Sequence, residues 1–240
     1  MSSGAPDSVV RMAAALVVPG IGAAAPPGID PVAFGRALVE DACDLVAELE
    51  LVAPAVAMGP AAEKELGGLN AEELAWPGTP VLRLRADDRS GLVVQTLGHL
   101  AALGANQGAV LAADAPDLPQ LLIGKLFRAL GGTTRRADLA VCPAEGGGLV
   151  AVAAWLPLAE WVSRALVMDA PDGTVDDASG AVAETDFGDV VNRLHQAAPR
   201  ASALRLVPGW HRLRSPADLG RLDPGLEGWS TTRGLLTSGR

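Results

Sequence analysis

Three carboxylates stand where this chain can do chemistry. Asp114 ends an apolar run, Gly108-Ala-Val-Leu-Ala-Ala113, and Asp117 follows it in Asp114-Ala-Pro-Asp117-Leu-Pro119. Glu145 follows a second apolar run, Ala137 to Val141, in the turn Cys142-Pro-Ala-Glu145-Gly-Gly-Gly148. Short bounded apolar runs read as buried strands. Open α/β sheets hold ligands beyond the carboxyl ends of such strands. Asp114 and Glu145 are therefore expected to project into one crevice. Plainer readings stand beside these: D-x-P-D is good turn chemistry before a helix, and Glu145 can be a solvated residue beside flexible glycines.

Other chemistries are thinly supplied. His99, His195 and His211 have no partner at metal-ligand spacing. The nucleophile motif G-x-S-x-G is absent, as are G-x-G-x-x-G and G-x-x-x-x-G-K-[ST]; Gly20-Ile-Gly22 alone is a weak signal. Cys43 and Cys142 form no CxxC pattern and are assigned to core packing. The basic cluster Arg83, Arg85 and Arg89 is placed to meet a phosphate, or is simply solvated.

The elements that position these residues follow from periodicity. Val9 to Val18 predicts a first strand, then a Gly/Ala/Pro loop from Gly20 to Gly28. Asp30-Pro31 starts a helix whose stripe is Phe34, Leu38, Ala42, Leu45 and Leu49. Leu51 to Met58 predicts a strand, placed at a sheet edge by Pro54. Ala61 to Ala75 carries a short polar helix, and Val81 to Arg85 a strand with one wet face. Ser90 caps a helix to Leu103 with Leu92, Thr96, Leu97 and Leu100 inward. The helix after Pro119 buries Leu122, Leu126 and Leu130 and stops at Gly131-Gly132. Leu149 to Leu156 is expected to form a hairpin with Ala137 to Val141 around the three glycines. Trp155 and Trp161 flank a short helix, Asp169 to Ala183 reads as a loop, and Phe187, Val190, Val191 and Leu194 mark a further helix. Ala203 to Val207 predicts a last strand, and Ser215-Pro-Ala-Asp218 a capping box. Beyond Asp223 little pattern remains. The strand–helix–strand order predicts a mostly parallel α/β sheet. One domain over 1–240 is expected, with its core at about 9–222 and a tail at 223–240.

The 240 residues are 49% hydrophobic and 20% charged, which supplies a sizeable core and places the chain away from disorder. A net charge of −9 disfavours nucleic acid and anionic membrane as partners. No apolar run reaches the roughly 18 residues of a membrane span, and no signal peptide is evident in Met1-Ser-Ser-Gly-Ala-Pro-Asp7, so a cytoplasmic location is expected.

Three segments together, Ala112-Ala-Asp-Ala-Pro-Asp-Leu-Pro119, Pro143-Ala-Glu-Gly-Gly-Gly148 and Pro208-Gly-Trp-His-Arg-Leu-Arg-Ser-Pro-Ala-Asp-Leu219, resemble a group of bacterial glycosyltransferase-A-like proteins. These belong to the nucleotide-diphospho-sugar transferase superfamily, with the molybdenum-cofactor and phospholactate guanylyltransferases. The resemblance covers about Val9 to Leu222. It implies a three-layer α/β/α Rossmann-like sheet that binds a nucleotide or nucleotide sugar, with Mg²⁺ bridging phosphates, and a glycosyl or nucleotidyl transfer. On the matching positions, Asp114 is the metal-side and catalytic aspartate, and Glu145 the second catalytic carboxylate. Asp117, Gly147 and Gly148 are placed at the substrate, and Gly91 near the nucleotide. Asp117 can instead serve the free amides of the next helix.

The departures are specific. The loop Pro19 to Gly28 has none of the family's basic residues, and Gly146 stands where the family has aspartate. The closing motif, two aspartates in the family, here carries Arg212 and Arg214. Metal sites depend on carboxylate count, so the change weakens Mg²⁺ binding. Arg212 and Arg214 then become substrate-binding clamps for phosphate, or Arg212 pairs with Asp114 and no metal enters. Two functions stay open: a nucleotide-dependent transferase with an impaired metal site, or a non-catalytic binding or interaction module. The second predicts an apolar partner surface around Trp155, Trp161 and Trp229.

Overall fold

A computed structural model of the protein describes residues 9–85, 89–167 and 188–238. The expectations for the amino terminus, for Asp169 to Ala183 and for Phe187 lie outside these residues, as do the side chains of Arg89 and Ser90.

Among the described residues seven strands form one sheet: β1 (Arg11–Val17), β2 (Ala53–Met58), β3 (Val81–Arg83), β4 (Gln107–Ala112), β5 (Leu139–Pro143), β6 (Leu149–Trp155) and β7 (Leu204–Leu206). Their spatial order is β3-β2-β1-β4-β6-β5-β7, and β6 alone runs antiparallel to its neighbours. The sheet is thus mostly parallel. The helices are α1 (Pro31–Ala47), α2 (Pro60–Glu65), α3 (Arg89–Ala102), α4 (Gln120–Leu130), α5 (Glu160–Val167), α6 (Gly188–Ala197) and α7 (Ser230–Ser238).

Alternation along β1 shows the three layers. Ala13, Ala15 and Val17 face a core shared with Phe34 and Leu38 of α1 and Leu126 of α4. Met12, Ala14 and Leu16 face the opposite core, with Leu97 and Leu100 of α3, Val162 of α5 and Leu194 of α6. Burial of both sheet faces is why the strands read as continuous apolar runs. Asp30 caps α1 as its sequence predicts, its side chain accepting from the Ala33 amide at 2.9 Å.

Some expectations shift. β2 is an interior strand, not an edge. Its Pro54 is tolerated because β3 pairs only with Val56 to Met58, which leaves Pro54 facing no strand on that side. The polar helix after Ala61 is shorter than expected, ending at Glu65 before a 3₁₀ turn at Ala71–Glu73. The glycine hairpin forms, but β6 lies between β4 and β5, so the crossover through α4 passes over it.

The carboxyl-terminal segment is no loose tail. α7 packs on α1, and the buried Asp41 of α1 accepts from the amides of Thr231 and Thr232 at 2.9 Å each. Burial pushes the Asp41 carboxyl above its ordinary value, against the pull of those hydrogen bonds. Trp155, Trp161 and Trp229 are not among the exposed large apolar side chains of the described residues. Trp229 is buried, and Trp155 and Trp161, half-buried, spend their indole N–H groups on the Leu130 carbonyl and on Asp138.

Candidate functional site

The segment Trp210 to Arg214 crosses the carboxyl end of the sheet and joins the two elbows singled out by sequence. On one side the Leu213 amide donates to the Asp114 carbonyl at 2.8 Å. On the other, Ala144 bridges to Trp210, and the Glu145 amide donates to the Trp210 carbonyl at 2.8 Å. Asp114 and Glu145 therefore dock on one strap, but their side chains differ in environment. The Asp114 side chain is 6% exposed and that of Glu145 58%.

Arg212 covers Asp114. Its Nε donates to Asp114 Oδ1 and its Nη2 to Oδ2, each at 2.7 Å, while Nη1 donates to the Leu149 carbonyl at 3.1 Å. All three nitrogens of the guanidinium are engaged, and both carboxylate oxygens have a charged donor. This fork-on-fork arrangement is the strong form of the arginine–carboxylate contact. Arg214 reaches the glycine turn, its Nη2 donating to the Gly147 carbonyl at 2.7 Å. Gly146, Gly147 and Gly148 have φ of 80°, 101° and 81°, a run that residues with side chains rarely adopt. That run turns the Gly147 carbonyl toward Arg214.

Asp117 is 1% exposed and serves the framework. It does not cap α4, whose N-cap is Pro119 without a side-chain hydrogen bond. Its oxygens instead accept from Trp210 Nε1 at 3.1 Å and from the Asp223 amide at 3.3 Å. His211 stacks on Trp210, and its Nε2 lies 3.0 Å from Asp117 Oδ1 but off the line a hydrogen bond needs. Gly91 lies in the first turn of α3, away from this strap in the chain.

The predicted capping box is present at Ser215, with the Ser215 amide donating to Asp218 Oδ2 at 2.9 Å. Burial works to raise the Asp218 carboxyl, but the amides of Arg214 and Ser215, the Ser215 hydroxyl and the Arg221 charge outweigh it and hold it below the ordinary value.

The loop after β1 lines a cleft of about 300 Å³ with Pro31, Val32, Glu65 and Leu66. In it the Gly20 amide donates to Glu65 Oε2 at 2.5 Å. Nearby guanidinium groups are committed: Arg36 donates to the Leu66 carbonyl, and Arg83 to Glu63, Asn70 and Glu72. Sequence reasoning missed Glu65, which sits on a polar helix with no signal that it would fold back on the loop. Cys43 and Cys142 are buried in the core as expected, and burial pushes their thiols up to about 12 and about 11.

Among the described residues no group of three or more His, Cys, Asp or Glu side chains could hold a metal ion. No helix among them is long and apolar enough to cross a membrane.

No known family profile matches the sequence, and no curated protein matches it. Solved structures do match in fold. A candidate nucleotide-diphospho-sugar transferase from Desulfovibrio desulfuricans G20 superposes with a TM-score of 0.59 at 12% identity, covering 96% of this chain and 99% of that one. The 4-diphosphocytidyl-2C-methyl-D-erythritol synthase of Anaerococcus prevotii DSM 20548 gives 0.55 at 11% identity, over 92% of this chain and 97% of that one. The CMP:2-keto-3-deoxy-manno-octonic acid synthetase, solved with CTP, gives 0.51 at 13% identity, over 98% and 100%. The architecture is that of the nucleotidyltransferase-like α/β folds.

Proposed function

We propose that this chain is a binding module on the nucleotide-diphospho-sugar transferase fold, one that takes a nucleotide or nucleotide sugar and performs no metal-dependent glycosyl or nucleotidyl transfer. The observation that carries this reading is Arg212 on Asp114. A hard cation such as Mg²⁺ needs oxygen ligands. At Asp114 both oxygens already face the Arg212 guanidinium, and the other position of the family's closing acids supplies one more positive charge, Arg214. The donor set therefore does not fit Mg²⁺, and no step is derived through the ion. Asp114, Arg212 and Arg214 act here as a fixed brace for the glycine turn.

The nucleotide half of the proposal is supported by the fold and by the loop Gly20 to Ala25 at the end of β1, whose cleft opens beside α1. Glu145, exposed beside the braced turn with Arg221 Nη2 3.7 Å from its Oε2, can touch a ligand or partner there. The test is calorimetry with CTP, GTP, UTP and UDP- or GDP-sugars, with Mg²⁺ and with EDTA. Binding that is the same with either, and no turnover, is the expected result. A bound ligand raises stability by RT ln(1 + [L]/Kd), about 2.7 kcal/mol at a hundredfold excess over Kd. Mg²⁺-dependent product formation would overturn the non-catalytic half; flat traces across the panel would overturn the nucleotide half.

A further inference from the structure

At the amino-terminal end of the strands, opposite the strap, Arg11, Arg128 and Arg136 line one cleft of about 380 Å³ with Glu50, Phe127, Gly131 and Gly132. We infer that this cleft binds the phosphate of a small phosphorylated ligand. It is a separate site from the one proposed above.

The arginine at its base is held ready. Arg11 Nε donates to Gln107 Oε1 at 3.0 Å, and its guanidinium lies 5.8 Å from the centroid of the Phe127 ring. Gln107 is fully buried and is itself fixed by donating to the Gly131 carbonyl at 2.7 Å. The two terminal nitrogens of Arg11 make no hydrogen bond or ion pair among the described residues. Arg128 and Arg136 are exposed at the rim and make no ion pair among the described residues. A guanidinium presented this way offers two parallel N–H groups to phosphate oxygens, with little ordering left to do.

The carboxyl end of a helix normally repels an anion. Here the Arg128 and Leu130 carbonyls of the last turn of α4, and that of Gly131 after it, are already taken. The Leu130 carbonyl accepts from the Arg136 amide at 2.8 Å and from Trp155 Nε1 at 3.1 Å, the Gly131 carbonyl from Gln107, and the Arg128 carbonyl from the Gly131 amide at 3.2 Å. Gly131 makes the approach of Arg136 possible: its φ is 91°, and a Cβ there would lie 2.2 Å from the Thr134 carbonyl oxygen. Three positive side chains face one carboxylate, in a chain whose net charge is −9.

The phosphate can arrive free or on a small metabolite, so inorganic phosphate and glucose 6-phosphate are the two probes, titrated by calorimetry at low and high salt. One saturable site for at least one probe, weakened by salt, is expected, and the tighter probe identifies the source. In the double variant Arg128→Ala/Arg136→Ala, both sites being exposed, affinity should fall roughly tenfold or more. Glu50→Gln should instead tighten binding. The inference is overturned if neither probe binds saturably, or if the double variant binds as well as the parent. Nucleotide binding at the other end of the sheet should be unchanged in both variants, so failure here leaves that reading untouched.

Discussion

Arg212 meets Asp114 through two parallel N–H···O contacts of 2.7 Å, with the carboxylate almost fully out of solvent. Removing one partner of such a pair strands the other charge in a poorly solvating place. Arg212→Met should therefore cost about 3–5 kcal/mol, well above the loss of an exposed ion pair. Urea denaturation measures it. A loss under about 1 kcal/mol would mean that the pair contributes no more than a surface contact.

Restoring acids at the closing positions makes a different prediction. In Arg212→Asp/Arg214→Asp, Asp114 gains like-charged neighbours that repel it until a cation enters. The variant should melt below the parent and recover on adding Mg²⁺ or Mn²⁺, whereas the parent should not respond to either. A thermal shift series with and without EDTA reads this directly.

Glu65 occupies the Gly20 amide, a donor that an incoming phosphate would use. Glu65→Ala frees that donor and removes a negative charge from the cleft. Nucleotide affinity should rise roughly tenfold, as for one charge-assisted hydrogen bond gained. Unchanged affinity would place the ligand's phosphates elsewhere.

Asp41 gives a pH signature. Its carboxyl is raised in the folded protein, so folding prefers the protonated form. The favourable contribution is present below the unfolded value of 3.8 and is lost as pH rises through the folded value. Asp41→Asn cannot titrate. Relative to the parent, the variant should gain stability as pH rises across that window, whatever constant penalty it carries for losing one acceptor. Parallel pH profiles from chemical denaturation would refute this.

Much of the architecture was legible because apolar periodicity carries it. Leu92, Thr96, Leu97 and Leu100 of α3, and Leu122, Leu126 and Leu130 of α4, are buried as their spacing requires. The capping box at Ser215 and the glycine hairpin were legible from local chemistry. The interior position of β2 was not, since Pro54 is excused by the shortness of β3, a fact of strand length elsewhere. α7 was missed because its anchor, Asp41, lies 191 residues from Thr232. At the site, sequence named both members of the Asp114–Arg212 pair and left the choice between ion and ion pair open. Nothing local told that Asp117 would turn inward to Trp210 and Asp223, or that Arg11 would be steadied by Phe127 and Gln107.

The dependence of Asp41 on Thr231 and Thr232 also sets an order of events during synthesis. A ribosome releases α1 well before α7, with an acid on the face that must go inside, while the amides that satisfy that acid follow 190 and 191 residues later. Until then the face must stay wetted or leave its carboxylate unanswered. A nascent chain halted before α7 thus leaves the Asp41 face of α1 open to proteases and chaperones, and the emergence of α7 becomes the step that closes it.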